Sequence, residues 1–454
     1  MAHIACLTTG LTGVFNASLE VVSRLQKDGH RVTYLCTPQN KDRLVGEGFE
    51  SADILPINVH PAPKLPHFGG PLSWFKKLIF KASNAQSRKQ AALSSLGMEA
   101  FSDTLQRLNP DIVLIDMELH EHIITAVTLD FRVVLLSQWF SGWKRRGLPP
   151  IHTDIVPGKG IKGTLLGIKW AWLNYQSKQW IKILRRKILD FGADRYAVLL
   201  TYARENKFPL NELQKLNWPP PFTYKTIPVL SMTAYELEFP HDARPGLSYI
   251  GPMVYLDRKE TSVGPATNKT LQKVFDLKKL EKKSLIYCSV SSMRRGDTSF
   301  SRNIIEAVKD QPGWILILGL GGLIDPVELG TIPENVYAFK WVPQLEVLKH
   351  ADCSVNHGGI HTINECIHFK VPMVVYSGQQ YDQNGCAARI AYHGVGLMSD
   401  KDKDTPAQIR NHIQAILSDS SYAGKMEKLH QQYLMYQKEK KLESLIRQIL
   451  EEQL

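Results

Sequence analysis

The sequence predicts an α/β protein made of two domains, each a parallel sheet wrapped by helices. Three observations predict it. The chain has 454 residues, more than one ordinary core organises. Two separate stretches, one opening at residue 3 and one at residue 284, read as strand, turn, helix and strand in succession. Between residues 353 and 392 an apolar run, a glycine-containing turn and a helical pattern follow each other twice. In open parallel sheets ligands sit beyond the carboxyl ends of the strands, so function is expected at these turns.

Taken in order, residues 3–8 are an apolar run and the first strand. Thr9 to Gly13 form a turn, residues 15–27 carry apolar side chains at helical spacing, and Gly29 closes that helix. Residues 31–36 return as the second strand. The turn lacks G-x-G-x-x-G spacing, which argues against a dinucleotide site there. A short strand is expected within 46–57, followed by a Pro/His/Gly-rich loop over 56–71. Residues 111–115 are a buried strand that delivers Asp116, Glu118, His120, Glu121 and His122 at and beyond its end. Another strand is read at 132–136, and an aromatic- and Pro-rich loop at 139–154. Residues 229–231 and 249–252 close the first domain, and polar residues 259–268 read as the linker. A buried strand restarts at 284–290 with a Ser-rich turn, Ser289-Val290-Ser291-Ser292. A helix over 300–309 and a strand over 313–318 follow, and after Pro406 the chain reads as helical to its end.

Hydrophobic residues make up 43% and charged residues 22%, which describes a folded globular chain. The net charge of +11 favours anionic partners. No aromatic–basic module or zinc-finger spacing is present, so nucleic acid is not expected. The cysteines, Cys6, Cys36, Cys288, Cys353, Cys366 and Cys386, form no C-x-x-C pair and lie mostly in apolar runs; they are expected reduced and buried. The first residues lack a basic segment followed by an apolar core, and no run is long and apolar enough for a bilayer, so a cytoplasmic location is expected.

From Ile161 to Lys187 the chain carries Lys162, Lys169, Lys178, Lys182, Arg185, Arg186 and Lys187 with no acidic residue. Trp170, Trp172, Tyr175 and Trp180 are interleaved. Two readings stand. One is a basic amphipathic helix that lies on an anionic membrane surface or lines a greasy acceptor mouth. The other is a long surface helix whose aromatics cover the core. Residues 71–81 repeat this composition.

Residues 341–384 carry the chemistry. Gly358-Gly359 lets backbone approach a ligand, and the following helix points its free N–H groups at the same place. His357 can donate to a phosphate oxygen, Trp341 offers a ring for a base, and Glu365 can accept from two vicinal hydroxyls. Asp382 and Gln383 mix acceptors with a donor, as a polyhydroxylated ring needs. Each residue singly has an ordinary structural explanation; the ordered set does not.

That set, Trp341-x-Pro343-Gln344, His357-x-Gly359, Thr362-x-x-Glu365 and Asp382-Gln383, resembles the nucleotide-sugar motif of the inverting UDP-dependent glycosyltransferases of family 1. The resemblance implies the GT-B fold, α/β with two Rossmann-like domains facing across a cleft. Residues 1–255 would bind the acceptor and residues 256–430 the donor, with residues 431–454 forming a helix that packs back on the first domain. Trp341 would stack on uracil, Gln344 and Glu365 would hold the ribose, and Val342 would belong to the donor site. His357, Gly359 and Thr362 would meet the diphosphate, and Asp382 and Gln383 the sugar. Ser289 and Ser292 would cap a phosphate, with Ser291 where the family has Gly. Ile360 and His361 stand where plant members have Trp and Asn, and the chain looks more like bacterial members. The implied reaction moves a sugar from a UDP-sugar to a hydroxyl or acidic group of a small hydrophobic or lipid-like acceptor. No cofactor and no metal is expected, and no Asp-x-Asp pair lies near the phosphate turn. A non-catalytic UDP-sugar-binding helper subunit and a sugar-nucleotide epimerase are the alternatives.

One departure concerns the base. Relatives carry a Gly-His pair in the first turn; here Gly13-Val14 stands in its place, and no His occurs between His3 and His30. Asp116, with Glu118 or His120, is the expected replacement, and a capping role for Asp116 is the alternative.

Overall fold

The computed structural model describes residues 1–54, 65–215, 222–242, 244–259, 263–289 and 298–452. The first sheet is built from β1 (His3–Leu7), β2 (Arg31–Cys36), β3 (Glu50–Asp53), β4 (Ile112–Asp116) and β5 (Val133–Ser137). An antiparallel pair, β6 (Leu213–Lys215) and β7 (Phe222–Tyr224), stands outside it. The sheet then gains β8 (Val229–Ser231) and β9 (Leu247–Tyr249). Its order is β3-β2-β1-β4-β5-β8-β9, with every neighbouring pair parallel. The second sheet holds β10 (Ser284–Ser289), β11 (Trp314–Gly319), β12 (Val336–Phe339), β13 (Cys353–Asn356), β14 (Met373–Tyr376) and β15 (Gly396–Ser399). Its order is β12-β11-β10-β13-β14-β15, again all parallel.

Both sheets reverse their winding beside the first strand, between β1 and β4 and between β10 and β13. The carboxyl ends of β1, β10 and β13 therefore lie at the switch points, where such sheets bind ligands. The central strands are mostly apolar because helices cover both faces; all five residues of β4 are buried, the last of them Asp116. Two clusters of apolar side chains line the two faces of each sheet.

Several expectations are corrected here. The strand expected within 46–57 is only Glu50–Asp53, because Pro38–Glu47 forms a helix with Pro38 in its first turn and Gly48 beyond its end at φ +85°. The linker reaches only to Gly264, since a helix occupies Pro265–Glu281; residues 260–262 lie outside the described residues. Residues 56–64 of the expected loop also lie outside them, as do Val290, Ser291 and Ser292. The C-terminal stretch is three helices, Pro406–Ser418, Ser420–Lys438 and Lys441–Glu451. Asp419 caps the second by accepting from the Ser421 N–H at 2.8 Å, and Lys440, at φ +47°, breaks the chain before the third. The six cysteines are free and buried.

Three devices join the halves. Helix Lys441–Glu451 places Leu442 and Ile446 in the core of the first sheet, and Arg24 donates from Nε and Nη2 to Glu443, both at 2.9 Å. Arg389, wholly buried between the rings of Phe140 and Phe239, donates through Nε to Glu238 at 2.7 Å. Asn384 donates to the His152 carbonyl at 3.0 Å.

Candidate active site

The turn after β13 is shaped by its own side chains. Asn356 Oδ1 accepts from the Gly358 N–H at 3.0 Å, and Gly358 takes φ +83°. A Cβ on Gly358 would stand 2.9 Å from Val375 and 3.0 Å from the Gln383 carbonyl, so no other residue fits. The His357 ring lies over Gly359, the residue that begins helix Ile360–His368. A hydrogen bond with the Ser289 backbone holds His357, while burial lowers its pKa. Its Nδ1 is buried without a partner among the described residues.

The helix then carries Thr362 and Glu365 on the side that faces Gln344, the first residue of helix Gln344–His350. The Gln344 amide donates to Glu365 Oε2 and lies 3.4 Å from the Thr362 hydroxyl, while its Oε1 accepts from the Tyr287 hydroxyl at 3.0 Å. Arg258 donates to Glu365 Oε1 at 2.5 Å. The carboxylate is thus buried between a guanidinium and an amide, an arrangement that fixes its position. Trp341 lies half-buried just beyond β12 with its Nε1 enclosed and without a partner among the described residues, and Val342 packs on Gly319.

The first domain closes this space with Thr12, Gly13, Asn16 and Arg43. Arg43 donates to Asn16 Oδ1 at 2.5 Å. The partly open cavity is about 180 Å³, and Ser289, Trp341, Val342, Gln344, His357, Thr362 and Glu365 all reach its wall. His361 lines it too, with its ring against Gly13, where a Cβ would stand 2.9 Å from the imidazole. Neither ring nitrogen of His361 has a hydrogen-bond partner among the described residues. Burial, with the nearby Arg258 charge, lowers its pKa to about 4, so the ring is neutral near pH 7.

A second group of polar side chains adjoins the first. Asp116, at the end of β4, accepts from the Glu118 N–H at 3.1 Å and from the Thr9 N–H at 3.3 Å, tying the first turn to the sheet. Burial raises its pKa to about 6. Glu118 accepts from Gln138 at 3.1 Å; burial first, then the charges of Asp116 and Asp382, raise its pKa to about 8. Asp382, from the other domain, is raised by burial to about 6 and accepts from the Cys386 thiol at 3.4 Å. Gln383 follows it, with Oε1 buried and unpartnered among the described residues. Burial thus raises three carboxyls from two domains, and of these Glu118, at about 8, keeps its proton near neutrality while Asp116 and Asp382, at about 6, give theirs up just below it.

The structure gathers most of the sequence-predicted residues and separates a few. Asp116, Glu118, Asp382 and Gln383 stand in this carboxyl group rather than on the cavity wall. His120 is buried against Tyr224, 3.1 Å from its hydroxyl, and does not line the cavity. Ser292 lies outside the described residues. Sequence reasoning missed Arg258, Tyr287, Asn16 and Arg43, which come from a polar linker, a strand interior and two helices with no motif of their own. His361 was legible only as a departure from the plant pattern. Among the described residues no group of three His, Cys, Asp or Glu is disposed to hold a metal ion.

Comparison with known proteins fits this geometry. Residues 325–442 match the family described as "Erythromycin biosynthesis protein CIII-like, C-terminal domain". The oleandomycin glycosyltransferase of Streptomyces antibioticus is 25% identical over 94% of this chain and 86% of its own length. The NDP-glycosyltransferase YjiC of Bacillus subtilis is 23% identical over 94% of this chain and 92% of its own. Among solved structures, the glycotransferase of kitacinnamycin superposes with a TM-score of 0.68 at 21% identity, covering 99% of this chain and 98% of that one. The glycosyltransferase VinC, solved in complex with DTDP, superposes at 0.60 with 16% identity over 99% of this chain and all of its own. The chain is similar to the family 1 glycosyltransferases and has the GT-B fold. It is accordingly a glycosyltransferase enzyme.

Proposed function

We propose that this glycosyltransferase moves a sugar from a UDP-sugar to a hydroxyl of a small hydrophobic or lipid-like acceptor, with inversion and without a metal. The observation that carries the reading is one cavity lined by Trp341, Gln344, His357, Thr362 and Glu365 from one domain and by Thr12, Gly13 and Asn16 from the other. Trp341 would stack on the base. Glu365, held by Arg258 and Gln344, would accept from the ribose hydroxyls. Ser289 and His357, each with a buried atom that has no partner among the described residues, would donate to the diphosphate beside the glycine turn. Asp382 and Gln383 would hold the sugar.

In the transfer step the acceptor oxygen bonds to the anomeric carbon from the side opposite the diphosphate. The bond from that carbon to the phosphate oxygen breaks, and its electron pair leaves with the diphosphate. The acceptor proton goes to a base. Asp116 is the base we favour, because burial brings its carboxyl to about pH 6, near a working pH. A second reading gives that proton to His361, supported by its neutral imidazole on the cavity wall, whose two nitrogens have no partner among the described residues.

The test is incubation with a panel of UDP- and dTDP-sugars and of hydrophobic hydroxyl acceptors, read by mass. Transfer from UDP-sugars only is expected. Transfer from dTDP-sugars only would overturn the UDP assignment. Isomerisation of the sugar nucleotide without acceptor would favour an epimerase. UDP binding with no transfer to any acceptor would favour a helper subunit.

A further inference from the structure

The long helix Leu165–Leu189 buries only Ile168, Trp172 and Tyr175, all in its first half. Those three pack beside Ile155, and Trp172 donates to the Leu148 carbonyl at 2.7 Å. The rest of the helix is in water with its apolar residues outward. Leu166, Trp170, Leu173, Ile181, Leu184 and Ile188 fall three or four residues apart, or a multiple of that, and so form one stripe. Leu166 is 74% exposed, Trp170 72% and Ile181 64%. Helix Ser73–Ser83 has no buried residue, and exposes Trp74, Phe75 and Ile79 beside Lys76 and Lys77. The two helices are tied together at Asp190, which accepts from Lys81 at 2.5 Å and lies 3.5 Å from Arg88. Exposed apolar area of this kind is costly in water and marks a surface that is covered in use.

We propose that helices Ser73–Ser83 and Leu165–Leu189 form one platform that docks on an anionic lipid bilayer. Charge selects this occupant over a second copy of the chain. Residues 161–187 hold seven cations and no carboxylate, so two copies laid stripe to stripe would bring like charges together. Asp190, the carboxylate at the end of the helix, is already engaged by Lys81 and Arg88. Anionic headgroups neutralise the cations while the tryptophans and aliphatic chains enter the interface. No described helix is long and apolar enough to cross a membrane, so the platform lies on the bilayer. It is also wired to the active cleft. Tyr175 packs on the His152 ring with centroids 4.6 Å apart, and the His152 carbonyl accepts from Asn384, next to Asp382 and Gln383. A docked platform would present the cleft to acceptors dissolved in the membrane, which deepens the lipid-like acceptor reading and rests on it only for that last step.

The experiment is co-sedimentation of the full chain with vesicles of phosphatidylglycerol mixed with phosphatidylcholine, and with vesicles of phosphatidylcholine alone. At low salt at least tenfold stronger partitioning to the acidic vesicles is expected, released as salt rises. Replacing Trp170, Trp180 and Ile181 by Ser should reduce partitioning about tenfold, and so should Trp74→Ser with Phe75→Ser. UDP affinity should not change in either variant, because these residues are outside the cleft. Absence of binding to acidic vesicles, or binding that neither variant weakens, would overturn the proposal. A concentration-dependent dimer abolished by Ile181→Asp, with no vesicle binding, would assign the stripe to self-association. Vesicle binding with no sugar transfer would leave the platform standing and count against the acceptor reading alone.

Discussion

Glu365 and His361 show how much a single side chain depends on what meets it. Glu365 is held from both sides, by Arg258 and Gln344, before any ribose arrives. Glu365→Ala should therefore weaken UDP binding by roughly tenfold or more in calorimetry, an effect of about 1.4 kcal/mol or more. Unchanged affinity in a well-folded variant would remove the ribose role. The base is decided by a paired comparison. If Asp116 takes the proton, Asp116→Asn should lower kcat about 100-fold or more on a neutral hydroxyl acceptor while His361→Gln changes it little. The reverse pattern would give the role to His361. In both cases UDP affinity serves as the control that the cleft is intact. Glu118 offers a test by pH. Its pKa is raised above that of the unfolded chain, so between about pH 4 and pH 8 the folded state binds more protons than the unfolded state. Its contribution to stability therefore falls as pH rises through that window. Glu118→Gln should stabilise the protein against denaturant more at pH 8 than at pH 5, and an equal effect at both would count against the buried-carboxyl account.

Elements are set by backbone demands at their ends. Helix Pro38–Glu47 was missed although Pro38 and Gly48 are ordinary start and stop signals, because its interior is polar and weakly periodic. Gly358 is required by its conformation and by Val375. Gly385, inside helix Gln383–His393, is required by a neighbour far along the chain, since a Cβ there would stand 2.0 Å from the Ile151 carbonyl oxygen. Gly385→Ala should force that loop away and cost about 1–3 kcal/mol. It should also lower sugar transfer more than UDP binding, because the displaced loop belongs to the first domain. Thermal melting beside kinetics checks this; a variant of wild-type stability and rate would show that the loop gives way freely.

Across the whole molecule, the two sheets are held by a small number of long-range polar contacts. Arg389 and Glu238 are fully enclosed, and breaking a buried pair leaves a charge without a partner. Glu238→Ala should cost on the order of 3–5 kcal/mol by denaturant unfolding. A loss below about 1 kcal/mol would mean that water or another group reaches Arg389. The last helix acts differently, by burying Leu442 and Ile446 in the first sheet while the preceding helix packs Met426 and Leu429 on the second. It straps the two domains together through apolar contact and the Arg24–Glu443 pair.

The sequence by itself determined the strands and the donor motif. β2 and β8 occupy the residues expected of them, and β1, β4, β5, β10, β11, β13 and β14 differ from expectation by a residue or so, because buried parallel strands are short continuous apolar runs bounded by turn residues. Trp341 to Glu365 was legible because Gln344, the glycine turn at Gly358 and the helix that carries Glu365 lie on consecutive units of one sheet, so local spacing encodes their geometry. Only the tertiary structure decided which residues oppose that motif. Arg258 meets Glu365 across 107 positions, and Glu118 feels the charge of Asp382 from the other domain. His361 comes to rest on Gly13, in the first turn of helix Thr12–Lys27, where the sequence had only Val14 to offer. Such partners are set by how two separately wound sheets face each other. No periodicity or spacing within either one records that arrangement.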